Sequence, residues 1–89
     1  MPEPTESLLV FPTEFPIKVM GLTAPGFAQA MLAVVMKYAP DFNAETMEMR
    51  PSREGRYLSL TFTINATSRE QLDDLYRELC DHSMVKMVL

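Results

Sequence analysis

The sequence contains one cysteine, one histidine and no tryptophan in 89 residues. With Cys80 alone, no disulfide can form within the chain, and a chain without disulfides or a secretory signal is typical of the reducing cytoplasm, where we expect this protein. Cys80 and His82 stand two residues apart, a spacing that suits neither a closed zinc site nor a nucleophile with its base. We therefore expect no metal site, with Cys80 packed in the core or at a helix end and His82 in an exposed turn.

Long apolar runs and positive charges are also scarce. The longest apolar run, Met31–Met36, is far shorter than the about 18 residues that indicate a membrane span, so we expect no membrane partner. Eight Lys and Arg stand against 12 Asp and Glu, which makes the formal net charge −4. This acidic balance disfavours phosphate backbones and anionic lipids, so nucleic acid is not the partner that we expect first.

No set of residues has the pattern of a catalytic or cofactor-binding site. The carboxylates Glu70, Asp73, Asp74 and Glu78 fall on the predicted exposed side of a helix, without apolar neighbours that would raise a pKa. A solvated helix face explains them. We therefore predict that the protein is not an enzyme and needs no cofactor.

The residues that are abundant predict one globular domain. Hydrophobic residues make up 47% and charged residues 22% of the chain, which is ordinary for a folded protein. A chain of 89 residues suffices for one core and not for two, so we predict a single domain over residues 1–89. Residues 1–12 include the apolar segment Leu8–Phe11, and we expect them to form an N-terminal extension that packs on the domain.

Two periodicities alternate along the chain. Helical spacing predicts one helix that ends near Ala39 and a second that begins at a Thr67–Glu70 capping box. Thr23 offers a capping oxygen ahead of the first helix, and Gly21 should end the strand before it. Apolar and polar residues alternate with the period of two that is typical of strands over residues 15–20, 45–50, 57–64 and 84–89.

The order of these elements is strand, helix, strand, strand, helix, strand. It predicts an α+β fold of the ferredoxin-like βαββαβ type, a two-layer sandwich in which a four-stranded antiparallel sheet has the order 4-1-3-2 and both helices cover one face. The other face of the sheet stays open. The alternation assigns these residues to the core side of the sheet: Phe15, Ile17, Val19, Met47, Met49, Leu58, Leu60, Phe62, Ile64, Val85, Met87 and Leu89.

The open sheet face is the first candidate site. Its mixed composition has two interpretations. It fits a solvated face whose threonines reflect β propensity, and it also fits a surface that binds a second protomer or the N-terminal segment. RNA binding is the alternative function, but an RNA-binding sheet needs stacking aromatics, and only one outward aromatic is found. The predicted interaction residues are Lys18, Met20, Arg50, Tyr57, Ser59, Thr61 and Lys86, with Thr63 and Val88 also outward.

The connection between the first strand and the first helix is the second candidate. It leads into a helix N-terminus, where free N–H groups and the helix dipole favour small anions. Every helix start has such groups, so a plain turn is the other interpretation. The candidate ligand-binding residues are Leu22, Thr23, Ala24, Pro25 and Gly26.

Several short motifs together match a known family. They are Phe11-Pro12, Lys18–Gly21, Ser52 with Gly55, Tyr57 and Ser59, Ile64–Thr67, Leu75-Tyr76 with Glu78-Leu79, and Val85–Leu89. Over nearly its whole length the chain resembles the YbeD-like family of small uncharacterised bacterial proteins. The resemblance implies a ferredoxin-like fold, similar in shape to the ACT-type regulatory domains that bind small ligands, often amino acids, at protomer interfaces.

The resemblance also has implications for the function. ACT-type domains commonly have Asp-x-Pro-Gly after the first strand, but Thr23–Gly26 keeps only the Pro-Gly, and the loop lacks the arginine of acylphosphatase-type enzymes. Family members are often encoded beside lipoate-attachment enzymes, which suggests lipoate metabolism as the setting. We therefore predict a non-catalytic regulatory or interaction module that binds a small metabolite or a protein partner, a homodimer being one such assembly.

Overall fold

The computed structural model describes residues 10–89, which form a four-stranded sheet and two helices. The strands are β1 (Thr13–Leu22), β2 (Glu48–Pro51), β3 (Tyr57–Ala66) and β4 (Val85–Val88). The helices are α1 (Phe27–Tyr38), between β1 and β2, and α2 (Arg69–Asp81), between β3 and β4. The order is βαββαβ, as the sequence predicts.

The sheet is antiparallel, with the strand order β2-β3-β1-β4. This is the predicted order 4-1-3-2 read from the opposite edge. The central strands β1 and β3 have 10 residues each and pair continuously from Thr13 with Ala66 to Leu22 with Tyr57. The edge strands β2 and β4 have only four residues each, so the two long strands form the frame to which the edges attach.

The core lies between one face of the sheet and the two helices. The prediction that Leu60, Phe62 and Ile64 face inward is confirmed, because all three are buried while Thr63 between them is exposed. Phe42, in the segment after α1, packs against Phe62 at a centroid distance of 5.5 Å. The largest fully buried side chains are Ile17, Val19, Phe27, Met31, Val35, Leu60, Phe62, Ile64, Leu75 and Leu79.

β1 continues through Gly21 to Leu22, which corrects the expectation that Gly21 ends the strand. Gly21 faces the core, where a Cβ atom would lie 2.7 Å from Cε1 of Phe27 and in collision with the Met84 carbonyl oxygen. The start of α1 and the segment before β4 therefore approach the strand so closely that only glycine fits.

The caps of both helices differ from the prediction. Ser68, not Thr67, caps α2, since its Oγ accepts a hydrogen bond from the Gln71 N–H at 3.1 Å. The Gln71 side chain accepts from the Thr67 N–H at 2.7 Å and donates to the Tyr38 carbonyl at 2.8 Å. The capping box is therefore displaced by one residue, and it joins the start of α2 to the end of α1.

The start of α1 has no side-chain cap. Gly26 stands at the N-cap position with φ of +83°, so Thr23 does not cap this helix. Instead the Thr23 N–H donates to the Arg56 carbonyl at 2.8 Å, which ties the loop before α1 to the β2-β3 hairpin. In that hairpin Gly55 has φ of +77°, a value that glycine adopts without strain.

The two edge strands depart most from the predicted pattern. A 3₁₀ turn at Ala44–Thr46, capped by Asn43, replaces the first part of the second predicted strand. Met49 pairs with the buried Leu60 and so points to the core side as predicted. It is nevertheless 56% exposed, because β2 lies at the margin of the sheet.

β4 changes register where it meets β1. Val88 pairs with Val19 and packs on the core, Met87 pairs with Met20 on the open face, and the register shifts beyond this pair. The predicted sides of Met87 and Val88 are therefore wrong, because a shift of one residue exchanges the two faces of a strand. Leu89, also predicted to face the core, exchanges backbone hydrogen bonds with Lys18 at 3.0 and 2.8 Å and is 63% exposed.

The predicted N-terminal extension is only partly within the described residues. Phe11 packs against the core, whereas Val10 is 75% exposed. The Leu8 and Leu9 part of the prediction lies outside the described residues. Neither helix in residues 10–89 is long and apolar enough to cross a membrane.

Replacement of Leu60 by alanine should destabilise the protein far more than replacement of its neighbour Thr61. Leu60 is fully buried, so Leu60→Ala leaves a core cavity and is expected to cost about 2–5 kcal/mol. Thr61 is partly exposed on the open face, so Thr61→Ala should cost less than about 1 kcal/mol. Urea unfolding of both variants measures the difference, and equal losses would contradict the assignment of the two sheet faces.

Candidate binding surface on the open sheet face

The open face of the sheet presents side chains in cross-strand rows. Residues paired across antiparallel strands point to the same face, so the register determines which side chains lie side by side. One row follows Arg50, Ser59, Met20 and Met87 across the sheet, the next follows Glu48, Thr61, Lys18 and Leu89, and Tyr57 pairs with Leu22 at the end of β1.

The structure brings most of the predicted interaction residues together. Lys18, Met20, Arg50, Tyr57, Ser59 and Thr61 all lie on this face. Lys86 is exposed at the irregularity of β4. Met87 and Leu89 were missed as members of the face, because nothing in the sequence reveals the register shift that turns them outward.

One part of the open face, along β1 and β4, is apolar. We call this part the apolar strip and define it as Met20, Leu22, Met87 and Leu89. Leu22 is 43%, Met87 48% and Leu89 63% exposed, and Met20 lies partly buried beside Met87. Neighbouring apolar side chains on an open sheet face form a patch suited to contact with another apolar surface.

The other part, on β1, β2 and β3, is charged and hydroxylated. A cavity of about 230 Å³ lies there, lined by Lys18, Glu48, Met49, Arg50, Ser59 and Thr61. We call these six residues the charged groove. Four of them belong to the predicted interaction face. Glu48 is an addition that the register of β2 turns to this side, and Met49 borders the cavity at the sheet margin although it pairs with Leu60.

The second candidate, residues 22–26, has less structure to support a ligand. Thr23, Pro25 and Gly26 are exposed and Ala24 is partly buried. Space around Gly26 is open, since an added Cβ would meet no atom within 4 Å. Leu22 is different, because it belongs to β1 and to the apolar strip. Ligand binding by this loop stays a prediction.

Cys80 and His82, at the end of α2, have different surroundings. Cys80 is exposed on the last turn of α2, so the expectation that it packs there is wrong. His82 is partly buried, and its Nδ1 accepts a hydrogen bond from the Met84 N–H at 3.1 Å, which holds the turn after α2. Within residues 10–89, no group of three His, Cys, Asp or Glu side chains could hold a metal ion.

A hydrogen-bonded cluster joins the end of α1 to α2. Oε1 of Glu78 accepts from the Tyr38 hydroxyl at 2.6 Å and from Nζ of Lys37 at 3.0 Å. The bond from Tyr38, and then the bond from Lys37, lowers the pKa of the Glu78 carboxyl. Glu78 in turn raises the pKa of both Tyr38 and Lys37 through the same bonds. These three side chains satisfy one another, so the cluster serves as a link between helices.

The fold identifies the structural class of this domain. The strand order, the two helices on one face and the βαββαβ order are those of a ferredoxin-like, ACT-like domain. The structure is similar to the ACT domain from the GTP pyrophosphokinase of Chlorobium tepidum, with a TM-score of 0.66, 20% identity and coverage of 86% of this chain and 97% of that one. It is also similar to protein HP0495 from H. pylori, with a TM-score of 0.76, 15% identity and coverage of 100% and 94%.

The sequence comparisons then give the family. The model of the family called protein of unknown function DUF493 matches residues 6–89, and the chain belongs to that family. It is 57% identical over 86 residues to a UPF0250 protein of Bordetella pertussis, covering 97% of this chain and 94% of that protein. It is 58% identical over 84 residues to a UPF0250 protein of Nitrosomonas europaea, covering 94% and 97%. The resemblance to the YbeD-like family is thereby confirmed.

The link between the helices should weaken in acid. The folded pKa of Glu78 lies below its ordinary value of 4.5, so the ionised carboxylate stabilises the fold above that pH and the contribution disappears as the pH falls through the lowered pKa. Glu78→Gln should therefore be less stable than the unmodified protein at neutral pH, with the difference shrinking as the pH falls below 4.5. Urea unfolding across this range measures it.

Asp73→Asn is the matched control. Asp73 is an exposed carboxylate on the same helix, so its replacement tests the general effect of removing one negative charge from α2. A stability difference for Glu78→Gln that stayed constant down to acidic pH, or that Asp73→Asn reproduced, would contradict the role of the cluster.

Proposed function

We propose that this DUF493 protein is a non-catalytic regulatory module that acts by binding another protein through its open sheet face. The simplest partner is a second copy of the chain. The single observation behind this proposal is the apolar strip, in which Leu22, Met87 and Leu89 remain 43–63% exposed side by side with Met20.

Burial of the apolar strip would supply favourable free energy of binding. Apolar surface removed from water contributes about 25 cal/mol per Å², so a strip of four large side chains offers a useful contact at the centre of an interface. Methionine side chains are flexible and polarisable, so Met20 and Met87 can adapt to the shape of a partner. β1, which carries Met20 and Leu22, is paired with a strand on each side.

The rest of the described chain favours binding over catalysis. The groups that elsewhere perform acid-base or nucleophilic chemistry hold the fold here: Glu78 links the helices and His82 fixes a turn. RNA binding has less support, because within residues 10–89 Tyr57 is the one aromatic side chain on the open face. A cytoplasmic location and a role in lipoate metabolism belong to the same proposal, the second of them resting on the family resemblance alone.

Self-association should depend on Met87. In a dimer that buries the strip, Met87→Lys introduces a charge on both copies and should raise the dissociation constant at least about tenfold. Sedimentation equilibrium over a wide range of protein concentration measures this. An unmodified chain that stayed monomeric up to millimolar concentration would contradict the second copy as the partner.

Met49→Lys is the control for that experiment. Met49 has a similar exposed fraction, 56% against 48% for Met87, but lies outside the apolar strip, on β2 at the other edge of the sheet. It should change the dissociation constant less than about twofold. Equal weakening by both variants would indicate a general effect of charge and would remove the support for the apolar strip.

A further inference from the structure

We infer that the charged groove is a binding site for a small organic carboxylate anion. The inference rests on the proposed function in one respect, since both require the open sheet face to be a binding surface. It uses a different part of that face, on β1, β2 and β3.

Two cations flank the groove and two hydroxyls lie between them. Lys18 on β1 and Arg50 on β2 stand on either side of Ser59 and Thr61 on β3, in adjacent cross-strand rows. Two strand spacings and a two-residue offset separate the Cα atoms of Lys18 and Arg50 by about 12 Å. Their long side chains can therefore reach a single small ligand that lies over the hydroxyls.

These cations have no partners within the described residues. Neither Lys18 nor Arg50 makes an ion pair or a side-chain hydrogen bond within residues 10–89, whereas Lys37 and Arg77 are paired with carboxylates of α2. The guanidinium group of Arg50 is thus available for a bidentate contact with a planar carboxylate. The two hydroxyls can donate further hydrogen bonds to the same group.

Glu48 sets the charge and the class of the ligand. With Lys18 and Arg50 it gives the groove a net charge of +1, as two positive side chains face one negative side chain. A singly charged carboxylate makes the occupied groove neutral, whereas a doubly charged phosphate leaves it with a net negative charge beside Glu48. The volume of about 230 Å³ suits a compound of a few carbon atoms.

The test is an NMR titration of the complete ¹⁵N-labelled chain with sodium propionate, sodium phosphate and sodium chloride at matched ionic strength. Propionate should produce saturable amide shifts in residues 48–50 and 59–61 and at Lys18. Chloride should produce none that saturate, and phosphate should bind more weakly than propionate. Equal or tighter binding of phosphate, or unsaturable shifts with every salt, would overturn the carboxylate site.

Three variants sharpen the test. Arg50→Gln should weaken propionate binding about tenfold, the loss expected for one charge-assisted contact. Arg53→Gln, which removes an exposed arginine outside the groove in the hairpin turn, should change it less than about twofold. Glu48→Gln should improve phosphate binding selectively. The same loss from both arginine variants, or no change in phosphate binding with Glu48→Gln, would contradict the inference.

The outcome is separable from that of the proposed function. Sedimentation of the same samples reports self-association independently of the amide shifts. Absence of propionate binding in a chain that still self-associates through Met87 would remove the carboxylate site alone. Saturable propionate binding in a monomeric chain would uphold the site and contradict the second copy as partner.

Discussion

The antiparallel pairing of β1 with β3 is the interaction on which the other features of this protein depend. It runs unbroken over ten residues on each strand, and it links two segments that are far apart in sequence. Because paired residues share a face, this single register places Ile17, Val19, Leu60 and Phe62 under the helices and Lys18, Met20, Ser59 and Thr61 on the open side. The core and the candidate binding surface are therefore two consequences of one register.

The two edge strands add different side chains to the open face of these central strands. β2 adds Glu48 and Arg50 to the side of β3 and so completes a charged groove. β4 adds Met87 and, through the hydrogen bonds that follow it, Leu89 to the side of β1, and so completes an apolar strip. The open face of the sandwich thus has two chemically distinct parts, one charged and hydroxylated and the other apolar.

Membership of the DUF493 family and the ACT-like shape describe the scaffold and do not by themselves give a function. The loop before α1 was the second candidate site in the sequence. It is short and largely exposed, and the Thr23 N–H ties it to the β2-β3 hairpin. The open face has stronger features: neighbouring exposed apolar side chains, and cations without partners in the described chain. This face therefore offers more groups for binding than the loop does.

Local pattern in the sequence was sufficient for the element order, the sheet order, the inward face of β3 and most of the open-face residues, because the periods of two and 3.6 are properties of each segment taken alone. It was insufficient where a distant contact decides the local outcome. Thr67 with Glu70 and Ser68 with Gln71 both have the capping-box form, and the second occurs in the structure, where Gln71 also bonds to the end of α1. The pairing of β4 with β1 shifts register, so Met87 faces outward. Met49 points inward yet stays exposed, since β2 lies at the margin of the sheet. A sequence pattern determines which side of a strand is apolar. Only the packed structure decides how much of that side the helices bury and where the pairing register between two strands shifts.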